Sequence, residues 1–253
     1  MMLVRLVRME ITKLRTVEST LWTVGALIGL GVGLGAFVLW NLAAVCEPAC
    51  DPDLPRLSLA GVYLGQLAVV AVAVLAITVE YDTAMIRTTL AAAPRRLSVL
   101  SAKALAVVAV VLVAGLVVVL GSFLAGRWLG PDGLPLSLTD APTRRAYLGT
   151  VLYYGLIALL SLGIGAIVRH TGGALTVIIA LLYIAPIIAQ LVNSPRWHRW
   201  LERYSPMPAG LSIQATKHLE AMPISPWRGL FVLSVYAAAA LLLGAVVFRW
   251  RDA

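Results

Sequence analysis

Leu57–Val79 and Glu80–Lys103 run consecutively as LSLAGVYLGQLAVVAVAVLAITV and EYDTAMIRTTLAAAPRRLSVLSAK. The first stretch holds no Asp, Glu, Lys or Arg, whereas the second carries Glu80, Asp82, Arg87, Arg95, Arg96 and Lys103. An uncharged run of that length supplies the roughly 20 residues that an α-helix needs to cross about 30 Å of hydrocarbon. One charge at a span centre costs about 2.5–3.5 kcal/mol on insertion scales. The return of charge at Glu80 therefore marks the edge of an apolar phase, and the pair reads as a membrane span followed by a polar loop.

Five further windows are free of charge: Ser19–Cys46, Ala104–Gly126, Ala146–Val168, Thr171–Pro195 and Gly229–Phe248. Hydrophobic residues make up 60% of the chain and charged residues 13%, with a mean hydropathy of +0.92. A soluble domain is nearer half apolar and a quarter charged. The alternation expected of a barrel is missing, so backbone satisfaction in lipid calls for helices. The first window is too long for a cleaved signal, and amphipathic residues precede it. The expected fold is an all-α membrane protein, a single transmembrane domain over 1–253. Its six transmembrane helices lie at about 20–42, 58–79, 102–126, 146–168, 173–193 and 228–248.

Arg5, Arg8, Lys13 and Arg15 precede the first span, and Arg87, Arg95, Arg96, Lys103, Arg249 and Arg251 flank later inner ends. Basic residues in short flanks stay inside, which places both termini in the cytoplasm and the chain in a cell membrane. The loop Asn193–Arg228 is the exception, because it carries five basic residues yet falls outside in a six-span arrangement. The net charge of +8 reads as attraction to anionic membrane lipids. No basic, aromatic-interleaved soluble module exists to bind nucleic acid.

Residues 1–18 form an inner interfacial helix. Leu3, Val4, Leu6, Val7, Ile11, Leu14 and Val17 share one arc, Arg5, Arg8, Lys13 and Arg15 the other, and Glu10 sits at the edge of the apolar arc. In the first span Gly25, Gly29, Gly31, Gly33 and Gly35 give two registers of small-xxx-small spacing, which favour close helix packing within the chain. Cys46 and Cys50, the only cysteines, fall in the first outer loop; a disulfide is favoured there, with free thiols and a redox or metal role as alternatives. Within the cytoplasmic loop 80–101, Asp82 is a candidate N-cap for a short helix over Thr83–Ala92 that Pro94 ends. Ile86 and Leu90 share one of its faces. Between spans five and six, 194–227 reads as an outer helical loop. There RWHRWLERY (196–204) places Trp197, Trp200, Leu201 and Tyr204 on one face, as interfacial anchors or as a lid.

Catalytic and nucleotide-binding signatures are missing. None of Lys13, Lys103 and Lys217 follows a glycine, so the sequence contains no P-loop. HExxH, GxSxG and a pair of carboxylates at depth are likewise not found, which excludes the common enzyme classes. The polar residues inside the spans are neutral, and Tyr63, Gln66, Tyr183 and Gln190 are candidates to line a path for a lipophilic or amphipathic molecule. Transport by such a chain needs an external energy source.

Several motifs together resemble the permease subunit of the type 2 ABC export family, particularly its actinobacterial members, over nearly the whole length. Glu10-Ile-Thr-Lys13-Leu-Arg15 resembles the family's entrance helix. Glu80-Tyr81, Ile86-Arg87-Thr88-Thr89-Leu90 and Pro94-Arg95-Arg96 resemble its coupling loop, Pro186 a proline late in its fifth span, and Pro226-Trp227 with Arg251-Asp252-Ala253 its last-span flanks. Ala84 departs from the glycine often found there. The resemblance implies contact with a cytoplasmic ABC ATPase through Glu80, Tyr81, Asp82, Ile86, Arg87, Thr89, Leu90, Pro94, Arg95, Arg96, Glu10, Lys13 and Arg15. It further implies a second permease copy, as homo- or heterodimer, and outer helices that re-enter the membrane. ATP and Mg would sit on the partner, with no cofactor in this chain. Two other readings use the same sequence, a membrane-embedded sensor or immunity component and an integral-membrane enzyme.

Overall fold

A computed structural model describes residues 2–46, 51–86, 88, 96–130, 136–191 and 194–250. Six helices are long and apolar enough to cross a membrane, and the described residues contain no strand. In chain order the helices are α1 (Met2–Thr16), α2 (Glu18–Val45), α3 (Leu54–Ser58), α4 (Val62–Asp82), α5 (Arg96–Leu129) and α6 (Ala141–Val168). Then come α7 (Thr171–Leu191), α8 (Pro195–Tyr204), α9 (Pro206–Leu211), two 3₁₀ turns at Ser212–Gln214 and Leu219–Ala221, and α10 (Pro226–Trp250). The span-length helices are α2, α4, α5, α6, α7 and α10.

α4 and α6 form the centre of the bundle, with 61% and 67% of their most apolar windows buried, against 17% for α2 and 24% for α7. Small residues set the closest approaches. A Cβ on Gly163 of α6 would lie 2.5 Å from the Ala240 carbonyl carbon of α10, and one on Gly244 would lie 2.8 Å from Gly163 O. α6 and α10 therefore touch backbone to backbone, which only glycine permits. On α2, Leu27, Gly31, Gly35 and Leu39 form the buried stripe, with Ser58 O only 2.0 Å from where a Gly35 Cβ would sit. The other register, Gly25, Gly29 and Gly33, meets nothing within 4 Å. One of the two glycine registers thus packs inside the chain.

Several expected boundaries move. Asp82 is not an N-cap: it is the last residue of α4, and its carboxylate accepts a hydrogen bond from Thr171 Oγ1 at 2.6 Å. Helix α5 extends beyond the expected span 102–126 at both ends, and Lys103 within it is 1% exposed. Its charge does not end the span because carboxylates meet it there. Ile86 is 2% exposed and packs with Ile77, Leu100, Leu162, Ala166 and Phe248. It consequently belongs to the chain's own core. Arg87, Thr89, Leu90, Pro94, Arg95 and Cys50, and the side chain of Gln190, lie outside the described residues. Cys46 is disulfide-bonded, and the sequence holds one other cysteine.

Gly163→Ala is expected to destabilise the protein by about 1–3 kcal/mol, the usual range for overpacking, whereas Gly25→Ala meets open space. Thermal unfolding in detergent checks this; equal transition temperatures for the two variants would remove the α6–α10 contact from the fold's determinants.

Candidate functional site

Four charges from three helices meet at the end of the bundle that carries α1. Lys103 Nζ on α5 donates to Glu10 Oε2 of α1 at 2.9 Å, to Glu80 Oε1 of α4 at 2.6 Å and to the Ala76 carbonyl at 3.1 Å. An ammonium has three donors, and all three are used. Lys13 Nζ reaches the same Glu80 oxygen at 2.9 Å and stands 3.8 Å from Glu10 Oε1. Two cations face two anions, so the cluster is neutral overall. Glu10 Oε1 and Glu80 Oε2 are buried without a hydrogen bond among the described residues. The Lys13 charge, at 3.8 Å, faces the Glu10 end.

Helix α1 is wound to deliver this contact. Glu10 and Leu14 are its buried residues, with Leu6, Val7 and Ile11 half-buried, whereas Leu3, Val4 and Val17 stay exposed. Glu10 therefore lies within the face packed on the bundle, not at the edge of a lipid-facing arc. Lys13 turns inward as well, leaving Arg5, Arg8 and Arg15 as the exposed basic residues. Partial burial acts to lower the Lys13 pKa, but the Glu80 hydrogen bond and the charges of Glu10 and Glu80 outweigh it, and the net direction is up. A raised lysine pKa contributes stability below the unfolded value of about 10.4 and loses it only as pH rises through the folded value.

Around this node the remaining helix ends are tied together. Thr171 Oγ1 at the start of α7 lies 2.7 Å from Thr78 Oγ1 of α4 while donating to Asp82. The Arg169 guanidinium, just after α6, sits 5.0 Å from the Tyr81 ring centroid and donates to Val247 O at 3.1 Å. Arg96 donates to Phe248 O at 3.3 Å. The two arginines therefore serve the carbonyl end of α10, where a positive charge also complements the helix dipole. Of the residues singled out from sequence, Glu10, Lys13, Glu80, Tyr81, Asp82 and Arg96 are brought together here, and Arg15 stands exposed nearby on α1. Lys103, Thr171 and Arg169 were not singled out. A carboxylate on an otherwise apolar helix arc already required a cation, and Lys103 is where the structure supplies it.

The neutral polar residues form a second constellation deeper in the bundle. Gln66 is 0% exposed; its Nε2 lies 2.9 Å from Tyr183 OH, 3.1 Å from Tyr63 O and 3.3 Å from Met207 Sδ. Its Oε1 accepts from Tyr153, and Tyr183 in turn donates to Tyr63 O. Gln66 and Tyr183 are thus spent on one another and on α9, which covers them through Met207. Only the Tyr63 side chain is exposed. Gln66, Tyr153 and Tyr183 thereby join α4, α6 and α7 to the segment above them.

That segment, α9 and the turn after it, is clasped to the first loop at the same face. Asp53 Oδ2 accepts from the Thr216 and Lys217 amides at 2.7 and 3.1 Å, and Oδ1 accepts from Thr216 Oγ1 at 2.6 Å. Lys217 also pairs with Asp51, whose pKa its hydrogen bond and charge hold below the usual carboxylate value. Arg145 donates to Ala215 O from α6. Among the described residues no group of three or more His, Cys, Asp or Glu side chains comes together as a metal site. No protein-family model matches the chain, and no curated protein matches it.

Removing one member of a buried ion pair costs about 3–5 kcal/mol. Lys103→Met should lose stability on that scale, and Lys13→Ala, on a cation 34% exposed, no more than about 1 kcal/mol. Thermal unfolding of both variants tests the ranking, and a Lys13 effect equal to that of Lys103 would contradict it.

Proposed function

We propose that this chain is the permease subunit of an ATP-driven exporter, moving a lipophilic or amphipathic substrate across the cell membrane with power from a separate cytoplasmic ATPase. One observation carries the reading. The Glu10–Lys13–Glu80–Lys103 node fastens an amphipathic helix to the two span ends, α4 and α5, that bracket residues 83–95. A push on that segment reaches α1, α4 and α5 together, because a buried ion cluster transmits displacement where a solvated loop would absorb it. The sequence contains no P-loop, so the push must come from another protein. The resemblance to type 2 ABC permeases supports the same assignment, with both termini cytoplasmic.

The sparse burial of α2 and α7 leaves lateral surface that lipid or a second copy has to cover, which fits a path formed between two permease copies. Covered by Met207 and clasped through Asp53, the Gln66 network then sits below a lid at the outer face. On this reading Glu10, Glu80 and Lys103 act within the chain, and the ATPase meets exposed residues such as Met85, Thr88 and Arg15.

Co-purification of the chain with an ABC ATPase, followed by substrate-stimulated ATP hydrolysis in proteoliposomes, tests the proposal. Thr88→Asp and Arg15→Glu are expected to reduce ATPase association at least fivefold while the permease unfolds at its usual temperature. Association with no ATPase partner, together with unaltered efflux, would falsify the assignment.

A further inference from the structure

Loop 193–228 carries five basic residues on the face away from the chain termini, and the structure gives four of them, the arginines, a common surface. Arg196, Arg199 and Arg203 line one cavity beside α8. Arg203 also lines the next cavity, together with Arg228 and Phe231. Phe231 in turn lines a third, an apolar groove of about 440 Å³ between α5, α6 and α10, walled by Leu112, Leu156 and Leu230. The first two openings share Arg203, Tyr204, Met222 and Pro223, and Phe231 borders both the second and the third, so guanidinium groups and an apolar groove lie side by side. Arg203 Nε is fixed to the Pro223 carbonyl at 2.9 Å, which anchors one edge of its guanidinium beside the second cavity.

The setting selects the ligand. Trp197, Trp200 and Tyr204 are 60%, 53% and 44% exposed and meet edge to face or tilted, and such aromatic side chains are enriched at a membrane–water boundary. Trp227 and Phe231 continue this exposed aromatic surface down the first two turns of α10. A small anion alone would have no use for the apolar groove, and a neutral lipid none for four arginines. Glu202 and Glu220 also line the first cavity, so the positive excess is greatest in the second, where Arg203 and Arg228 are the charged residues.

We propose that Arg203 and Arg228 bind the phosphate of one anionic phospholipid in the leaflet away from the chain termini, with an acyl chain in the groove beside Trp227, Phe231 and Ser234. The lipid is a resident ligand and not the cargo. Its retention by the single chain needs no ATPase, so it stands or falls separately from the transport reading. The basic character of loop 193–228 then follows from what it holds.

Native mass spectrometry of the full chain from detergent, titrated with phosphatidylglycerol or phosphatidylcholine, tests this. The unmodified chain should retain one phosphatidylglycerol in preference to phosphatidylcholine. Arg203→Ala with Arg228→Ala should weaken phosphatidylglycerol retention on the order of tenfold or more, as two charge contacts near a membrane surface imply. Arg203→Lys with Arg228→Lys should restore most of it, which separates charge recognition from damage to the fold. Ser234→Trp, filling the groove, should weaken both lipids. Equal retention of phosphatidylglycerol by the unmodified and double-alanine chains overturns the proposal, as does an equal loss of both lipids in the alanine pair.

Discussion

The ammonium of Lys103, held between Glu10 and Glu80, is the contact on which the rest of this end of the molecule depends. An isolated charge at that depth is strongly unfavourable, and taking two charges out of water is repaid only when geometry and hydrogen bonding are both good. Here the lysine spends all three protons, and each carboxylate reaches a cation. The cost of burying Lys103, Glu10 and Glu80 is offset by their contacts with one another, with the Ala76 carbonyl and with the partly exposed Lys13. These contacts fix the packing of α1 and the lengths of α4 and α5 where they leave the apolar phase. The arginines beside α10 and the threonines between α4 and α7 then act on helix ends that are already in place.

The opposite face is organised by neutral groups and by one carboxylate. Gln66 gathers tyrosines from three spans under Met207, and Asp53 grips three donors of the segment that follows α9. Charge there stays at the rim, in Asp51, Asp53, Lys217 and the arginines of α8 and α10. One end of the bundle is thus locked by a buried ion cluster and the other by the buried Gln66 hydrogen bonds and the partly buried Asp53 clasp. The neutral bonds contribute individually about 0.5–1.5 kcal/mol and those to the Asp53 carboxylate about 1.5–3 kcal/mol.

Most of the span architecture was legible because lipid imposes a simple rule, the exclusion of charge, that a sequence displays directly. The rule did not show how Lys103 is tolerated inside a helix, since its compensation comes from residues 23 and 93 positions away. Glu10 was half legible: its place beside the apolar arc was visible, but its partner was not. The Asp82 reading failed because an N-cap and the last residue of a helix both sit beside a turn, and only the Thr171 contact tells them apart. Tyr63, Gln66 and Tyr183 were recognisable as unusual polar residues, yet whether they face a path or one another depends on the segment carrying Met207, whose packing no local pattern encodes.

The Asp53 clasp also carries a consequence for how the molecule is assembled. Its partners stand 163 residues apart, whereas every member of the Lys103 node lies within the first 103 residues. During synthesis, chains acquire structure from the N-terminus onward. The node can close once α5 has entered the membrane, while Asp53 waits in water for Thr216, which arrives only after α7, α8 and α9. One face is therefore finished early and the other last. Once α7 is in place and before α9 packs, the Gln66 side chain has its tyrosines but not its cover, making that interval the stage at which the growing chain most needs surrounding lipid or a chaperone to shield it.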